Sequence, residues 1–344
     1  MNKALYMNGK LHLDYKEMEM PVAGPGEIVV EMEYVGICGS DIHFWETGCI
    51  GVTPIIGDQI LGHECAGTVF QVGEGVEGLQ IGDRVVLEPG KGCGLCEFCK
   101  SGKYNLCENM EFISSPPYQG AMQNYRKYPA YLAYKLPESV STLEGALMEP
   151  LAVGIHAARE SGVRLGDTVV ILGAGCIGLM TLLACKAHSA SKIIIADLYD
   201  NRLEKAKEIG ADVVINSGKE DGWDRILEET GGKGADIVFE TAGNRVTAMH
   251  TEPLTKRGGT IVIVGNVMGE TPMNFYKMIK KELALKTVFR YRNVFPLAIQ
   301  AVADKKINVR PLATDIFQFD DATAAFEKAL YQKENVVKAV LKMK

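Results

Sequence analysis

The sequence predicts an α/β protein in two parts. Residues 1–149 read as a mostly β domain, 150–289 as a doubly wound domain with a parallel six-stranded sheet, and 290–344 as a return segment that completes the first part. Three observations carry this reading. A chain of 344 residues exceeds one typical domain and can bury two separate cores. Strands and glycine turns dominate before Glu149, as in "GEIVVEMEYVGICG", "CAGTVFQVGEGV" and "GDRVVLEPG". From Thr168 to Phe289, by contrast, short β-branched or apolar runs such as "DVVINS", "ADIVFETAG", "GTIVIVG" and "LALKTVF" alternate with stretches that can hold helices, the pattern of a parallel sheet covered on both faces.

Taken in order, the N-terminus "MNKALYMNGKLHLDYKEMEM" lacks the apolar core of a signal peptide and is too acidic for a mitochondrial presequence, so a cytoplasmic location is expected. In "GICGSDIHFWETG" and "ILGHECAGTV", Cys38, His63 and Glu64 offer one sulfur, one imidazole nitrogen and one carboxylate. That is the mixed donor set of a catalytic zinc with a position left open, although a Cys or His beside apolar strands also serves as an ordinary core residue. Near them, Ser40 and His43 form a hydroxyl and imidazole pair able to pass a proton outward, and Asp41 can orient a ligand. Turn and capping chemistry is the alternative for Ser40 and Asp41.

The segment "GKGCGLCEFCKSGKYNLC" concentrates Cys93, Cys96, Cys99 and Cys107 with spacing C-x2-C-x2-C-x7-C in a chain of nine cysteines. In a reducing compartment such spacing points to metal rather than disulfides. Four soft donors and the glycines between them suit a closed tetrahedral zinc site with no position for substrate; an iron–sulfur cluster is the alternative. Lys91, Glu97, Lys100 and Lys103 make the segment too polar for a cluster of buried free thiols.

The β-branched run Thr168 to Leu172 ends at a G-x-G-x-x-G formed by Gly173, Gly175 and Gly178, with Ile177 inside it, and a helical pattern follows at once. The next β run ends at Asp197. In that context the glycines let a pyrophosphate approach the helix N-terminus, and the acid accepts hydrogen bonds from the ribose hydroxyls while repelling a 2′-phosphate. NAD rather than NADP is expected. Arg202 sits near enough to tolerate a phosphate, or else belongs to the solvated face of the next helix. The uncharged run Thr168 to Cys185 is broken by these glycines, so a membrane span is not expected. With a net charge of −6 the chain has no excess positive charge for nucleic acid or an anionic membrane.

Together, "GICGSD", "GHE", the four-cysteine loop, "MEPLAVGIHA", "LGAGCIG", "ADL", "KAKEIGAD" and "VFRYRN" resemble the zinc-dependent medium-chain alcohol dehydrogenases, and among them sorbitol and other polyol dehydrogenases, over nearly the whole chain. The resemblance implies a GroES-like catalytic domain, a Rossmann domain, two zinc ions per subunit, and a homodimer or homotetramer acting on a small-molecule polyol. By matching position, Cys38, His63 and Glu64 are its catalytic zinc ligands, and Glu149 is the acid that serves that zinc directly or through water. Ser40 and His43 match a proton relay; Phe112, Arg290 and Tyr291 match positions lining the polyol pocket. Phe44 stands where many sorbitol dehydrogenases carry tyrosine, so one substrate-bonding hydroxyl is missing. The implied reaction is hydride transfer from a secondary alcohol to NAD, giving a ketose. Butanediol, threonine and polyol-phosphate dehydrogenases share the framework, and a non-catalytic NAD- and zinc-binding protein is the reading from another class.

Overall fold

The β-branched run after Gly26 begins the main sheet of the first unit. A computed structural model describes the chain except residues 51, 52, 55, 56 and 220. It divides into one unit of residues 1–149, 295–305 and 312–344 and a second of 150–294 and 306–311. Strand β1 (Glu27–Gly36) buries Ile28, Val29, Val30 and Met32 completely and is followed by helix α1 (Gly39–Thr47). Strand β2 (Glu64–Val72) pairs antiparallel with β1 in a register that sets Glu64 opposite Gly36. This register brings the end of β1, just before Cys38, beside the start of β2, just after His63. Strands β3 (Arg84–Leu87), β4 (Tyr125–Pro129) and β5 (Ala133–Lys135) continue the sheet, and helix α2 (Met148–Ser161) carries the chain onward.

In the second unit the strands are β6 (Thr168–Leu172), β7 (Lys192–Asp197), β8 (Val213–Asn216), β9 (Ala235–Glu240), β10 (Thr255–Ile263) and β11 (Ala284–Thr287). They pair in parallel in the order β8-β7-β6-β9-β10-β11. The order reverses between β6 and β9, the switch point outside whose carboxyl ends such sheets bind ligands. Val170, Leu172, Ile194, Ile215 and Val238 are fully buried, as expected of strands covered on both faces. Each such side chain contributes about 1.5–3 kcal/mol by leaving water. The uncharged run Thr168 to Cys185 is split by Gly173, at φ +109°, into β6 and helix α3 (Cys176–Ala187). Among the described residues no helix is long and apolar enough to cross a membrane.

The chain re-enters the first unit at Phe295 rather than at residue 290. Residues 290–294 stay with the second unit because Arg292 pairs with Glu160 at 2.7 Å and the Asn293 carbonyl accepts from Arg159. Residues 306–311 also belong to that unit. Strands β12 (Ala313–Gln318) and β13 (Lys338–Lys342) then complete a seven-stranded sheet in the order β5-β3-β2-β1-β13-β12, with β4 on β1 as well.

Candidate active site

The turn after β1 and the start of β2 build a mixed-donor cluster. Cys38 is the N-cap residue of α1, and ligand atoms of Cys38, His63 and Glu64 all lie within 4.8 Å of one another. Asp41, fully buried, organises the cluster: it accepts from the Cys38 backbone N–H at 3.0 Å, from the Gly62 N–H at 3.1 Å and from the Ser114 hydroxyl at 3.1 Å. Its Oδ1 lies 3.7 Å from His63 Nδ1, the second contact that fixes a ligating imidazole. Ser114 is held for this at φ +72°, a conformation that costs energy in a non-glycine residue and recurs at functional sites.

Two observations show that these residues fit a divalent metal. Glu64 Oε2 is buried with no hydrogen-bond partner, an arrangement whose cost a cation would remove. Burial works against a charged His63, yet the charges of Asp41, Cys38 and Glu149 outweigh it and push the imidazole up to about 10, the mark of an anionic cavity in want of positive charge. Glu149, buried at the start of α2, is close enough to act on His63 but lies outside the group of three. Ser40 lies in the first turn of α1, half-buried, and His43 is exposed. The Phe112 ring stands 5.4 Å from the His63 ring, whereas Phe44 is packed into the apolar core of the first unit.

The four cysteines form a second group, also with all sulfurs within 4.8 Å. Backbone amides of Cys96 and Leu95 point at Cys93 and bring its thiol down to about 6. Burial, reinforced by the neighbouring sulfurs, pushes Cys99 up to about 12, since four thiols this close cannot all ionise without a cation among them. At Gly92 a Cβ would stand 2.8 Å from Cys99 Sγ, so glycine is required there. Sequence reasoning did not single out Glu88, whose buried carboxylate accepts from Tyr104 within the cysteine segment at 2.6 Å and from Tyr134 at 2.9 Å. All nine cysteines are free of disulfides.

In the second unit each glycine of the fingerprint has its own reason. Gly173 needs its positive φ, a Cβ on Gly178 would lie 1.8 Å from the Gly173 carbonyl oxygen, and Gly175, N-cap of α3, faces open space apart from the Arg202 guanidinium. Ile177 is in the first turn of α3, half-buried. Asp197, at the end of β7, accepts from Ala174 N–H at 2.6 Å and Tyr199 N–H at 3.0 Å, which fixes the carboxylate beside the glycine turn. The residues therefore fit a dinucleotide. Arg202 stacks its guanidinium 5.3 Å from the Tyr199 ring. Further on, Arg290 has φ +54° with its guanidinium 4.8 Å from the Phe289 ring, and Tyr291 is 3% exposed. At the switch point, burial raises the proton affinity of Glu240, a residue the sequence did not flag.

The profile of the alcohol dehydrogenase GroES-like domain matches residues 24–138, and that of the zinc-binding dehydrogenase matches 176–304. The chain is 46% identical to the uncharacterized zinc-type alcohol dehydrogenase-like protein YdjJ of Escherichia coli (strain K12), covering 94% of each chain. It is 42% identical to sorbitol dehydrogenase of Homo sapiens, over 95% of this chain and 92% of that one. The solved structure of 2R,3R-butanediol dehydrogenase from Bacillus subtilis is 30% identical, superposes with a TM-score of 0.92, and the match covers 100% of both chains.

Proposed function

The chain belongs to the zinc-type medium-chain alcohol dehydrogenase family, and on that premise we propose that it oxidises a secondary alcohol of a polyol with NAD, yielding a ketose, NADH and a proton. The observation that carries the reading is the open three-donor cluster, with its undonated Glu64 oxygen, in a chain that also holds an acid-tipped dinucleotide cradle. When bound, zinc supplies Lewis acidity that makes an alcohol acidic near neutrality, and NAD supplies the hydride acceptor.

The chain's own residues do the rest. Cys38, His63 and Glu64 would hold the zinc as its protein donors. Asp41 holds Cys38 and His63 in place. Glu149 and the Ser40 and His43 pair take the alcohol proton outward, His43 being exposed to water. Asp197 selects NAD by meeting ribose hydroxyls and repelling a 2′-phosphate, and Gly173, Gly175, Ile177, Gly178 and Arg202 complete the cofactor cradle. Phe112, beside His63, bounds the substrate position. Phe44, packed in the apolar core, brings no hydroxyl to the substrate, and Arg290 and Tyr291 are proposed to meet polyol hydroxyls. The four-cysteine group holds a second, structural zinc.

Support for a polyol comes from the sorbitol dehydrogenase relative, and the butanediol dehydrogenase structure favours a small diol as the second reading. A polyol phosphate is less well served, because Arg292 is engaged by Glu160. We further place the enzyme in the cytoplasm, where nine unbridged thiols suit a reducing medium. A homodimer or homotetramer is proposed because β11 is an edge strand with all four residues exposed, and the helix that precedes it in the chain exposes Phe275, Tyr276 and Ile279. The test is NADH formation against sorbitol, xylitol and butanediol, with zinc counted per subunit and mass measured by sedimentation. Polyol turnover with two zinc ions supports the proposal; turnover of butanediol alone moves the assignment to diols, and no turnover with either cofactor overturns it.

A further inference from the structure

We propose that Lys338 is a positioning residue of the mixed-donor centre, holding Glu64 and the backbone that leads into Cys38 in the arrangement that receives the metal. This inference rests on the metal reading made above. Lys338 begins β13, and its side chain is 4% exposed. An ammonium removed from water at this depth costs several kcal/mol unless it is paired and hydrogen-bonded. Both conditions are met at the centre. Lys338 Nζ donates to Glu64 Oε1 at 2.6 Å and to the Ile37 carbonyl at 3.1 Å, while Ile37 N–H donates to the Ala339 carbonyl at 2.9 Å. One strand end thus grips the residue before Cys38 and, through Nζ, the carboxylate of Glu64.

The carboxylate is confined on its other side as well. A Cβ on Gly36 would stand 2.2 Å from Glu64 Oε2, so that oxygen occupies space which only glycine leaves open, and it has no donor. With one oxygen bound and the other fitted into a glycine gap, Glu64 has a single orientation before any metal arrives. Without the ammonium, a buried carboxylate beside Cys38 and Asp41 carries uncompensated charge. It would be free to turn away, and the metal would have to reverse that turn on binding. Lys338 also sets its ammonium directly against the Glu64 carboxylate. Its role is exerted through Glu64, to which it donates.

The test uses the full-length, metal-loaded protein and a chromogenic chelator that reports zinc release. The four-cysteine group acts as an internal reference because Lys338 directs its ammonium to Glu64 and the Ile37 carbonyl. Wild-type protein is expected to release one zinc quickly and one slowly. K338M should release the first about 10–100-fold faster, the range for losing a residue that orients a ligand, with the second unchanged. In an E64Q background K338M should add less than about twofold, because the ammonium then has no carboxylate to hold. Release from K338M at the wild-type rate, or an equal effect in the E64Q background, overturns the proposal and leaves Lys338 a staple of the sheet. Should K338M fail to fold, K338R carries the test: it keeps the charge but changes its reach, and is expected to shift the visible absorption of cobalt(II) placed at the centre. An unchanged spectrum would overturn the inference. Wild-type protein lacking any fast-released metal would instead defeat the metal reading itself, so the two failures are distinguishable.

Discussion

The two sulfur-bearing clusters of the first unit are built in opposite ways. The four-cysteine group draws like donors from one short segment, Cys93 to Cys107, whose backbone turns on Gly94 and Gly102. The mixed centre draws unlike donors from the turn after β1 and the start of β2, with Asp41, Ser114 and Lys338 converging on them from α1, an intervening loop and the last strand. A closed set of four identical donors can do little except hold a loop; an open set of unlike donors under remote control can take a substrate. The difference teaches that contiguous sites should fail locally and one property at a time, whereas a convergent site should lose its metal and its chemistry together.

The largest expected effect tests the convergent case. His63→Ala should lower kcat/KM by about 10^3-fold or more, equivalent to at least roughly 4 kcal/mol of transition-state stabilisation. The variant should retain one zinc per subunit, in the cysteine group, and bind NAD nearly as before. Substantial turnover by metal-free centre protein would break the comparison. Next in size is the contiguous case. Cys96→Ser should remove the other zinc and cost on the order of 3 kcal/mol, a fall in Tm of about 6–12 °C, while turnover below the transition stays within a few-fold of wild type. Loss of activity at temperatures where the variant is still folded would mean that the cysteine loop takes part in catalysis.

These contrasts also explain what could be read from the chain. The cysteine group and the nucleotide cradle were legible because each is one uninterrupted stretch: four thiols at fixed spacing, and β6, its glycines and Asp197 in succession. The strand count of the second unit followed from the same β-branched runs. Cys38, His63 and Glu64 were weaker as sequence, since their meeting depends on the register that sets Gly36 opposite Glu64. Lys338 was invisible, 274 residues from its partner and looking like the polar start of a strand. Ser114 and Glu88 were missed for the same reason, as their roles exist only after the loops around them have folded. The boundary beyond β11 shifted because the Arg292 pair with Glu160 is likewise a long-range contact.

A third, smaller effect sharpens the rule in the second unit, where the cofactor cradle is contiguous. Asp197→Ala removes the carboxylate beside the glycine turn without touching the metal donors. The ratio of kcat/KM for NAD over NADP should fall about tenfold or more, mostly through the KM for NAD, with zinc content unchanged. An unaltered ratio would show that cofactor choice is made elsewhere, with Arg202 the first residue to examine.

The smallest effect compares two buried histidines. In the anionic first-unit centre His63 is pushed up to about 10; in the second unit, burial and then Arg292, with Arg159 assisting and Glu160 opposing, push His156 down to about 4. The folded chain therefore holds His156 neutral, whereas the unfolded chain protonates it below about 6.5. Since the unfolded state binds more protons between those values, the contribution of His156 is complete above about pH 6.5 and is lost as pH falls towards 4. Allowing for solvent screening, its size is on the order of 1 kcal/mol. His156→Gln keeps a neutral polar side chain of similar reach and should flatten the fall of Tm between pH 6.5 and 4.5 relative to wild type, with the two curves parallel above pH 7. Parallel curves throughout would mean that His156 is not held neutral, and the electrostatic contrast between the two units would fail at the residue that should display it.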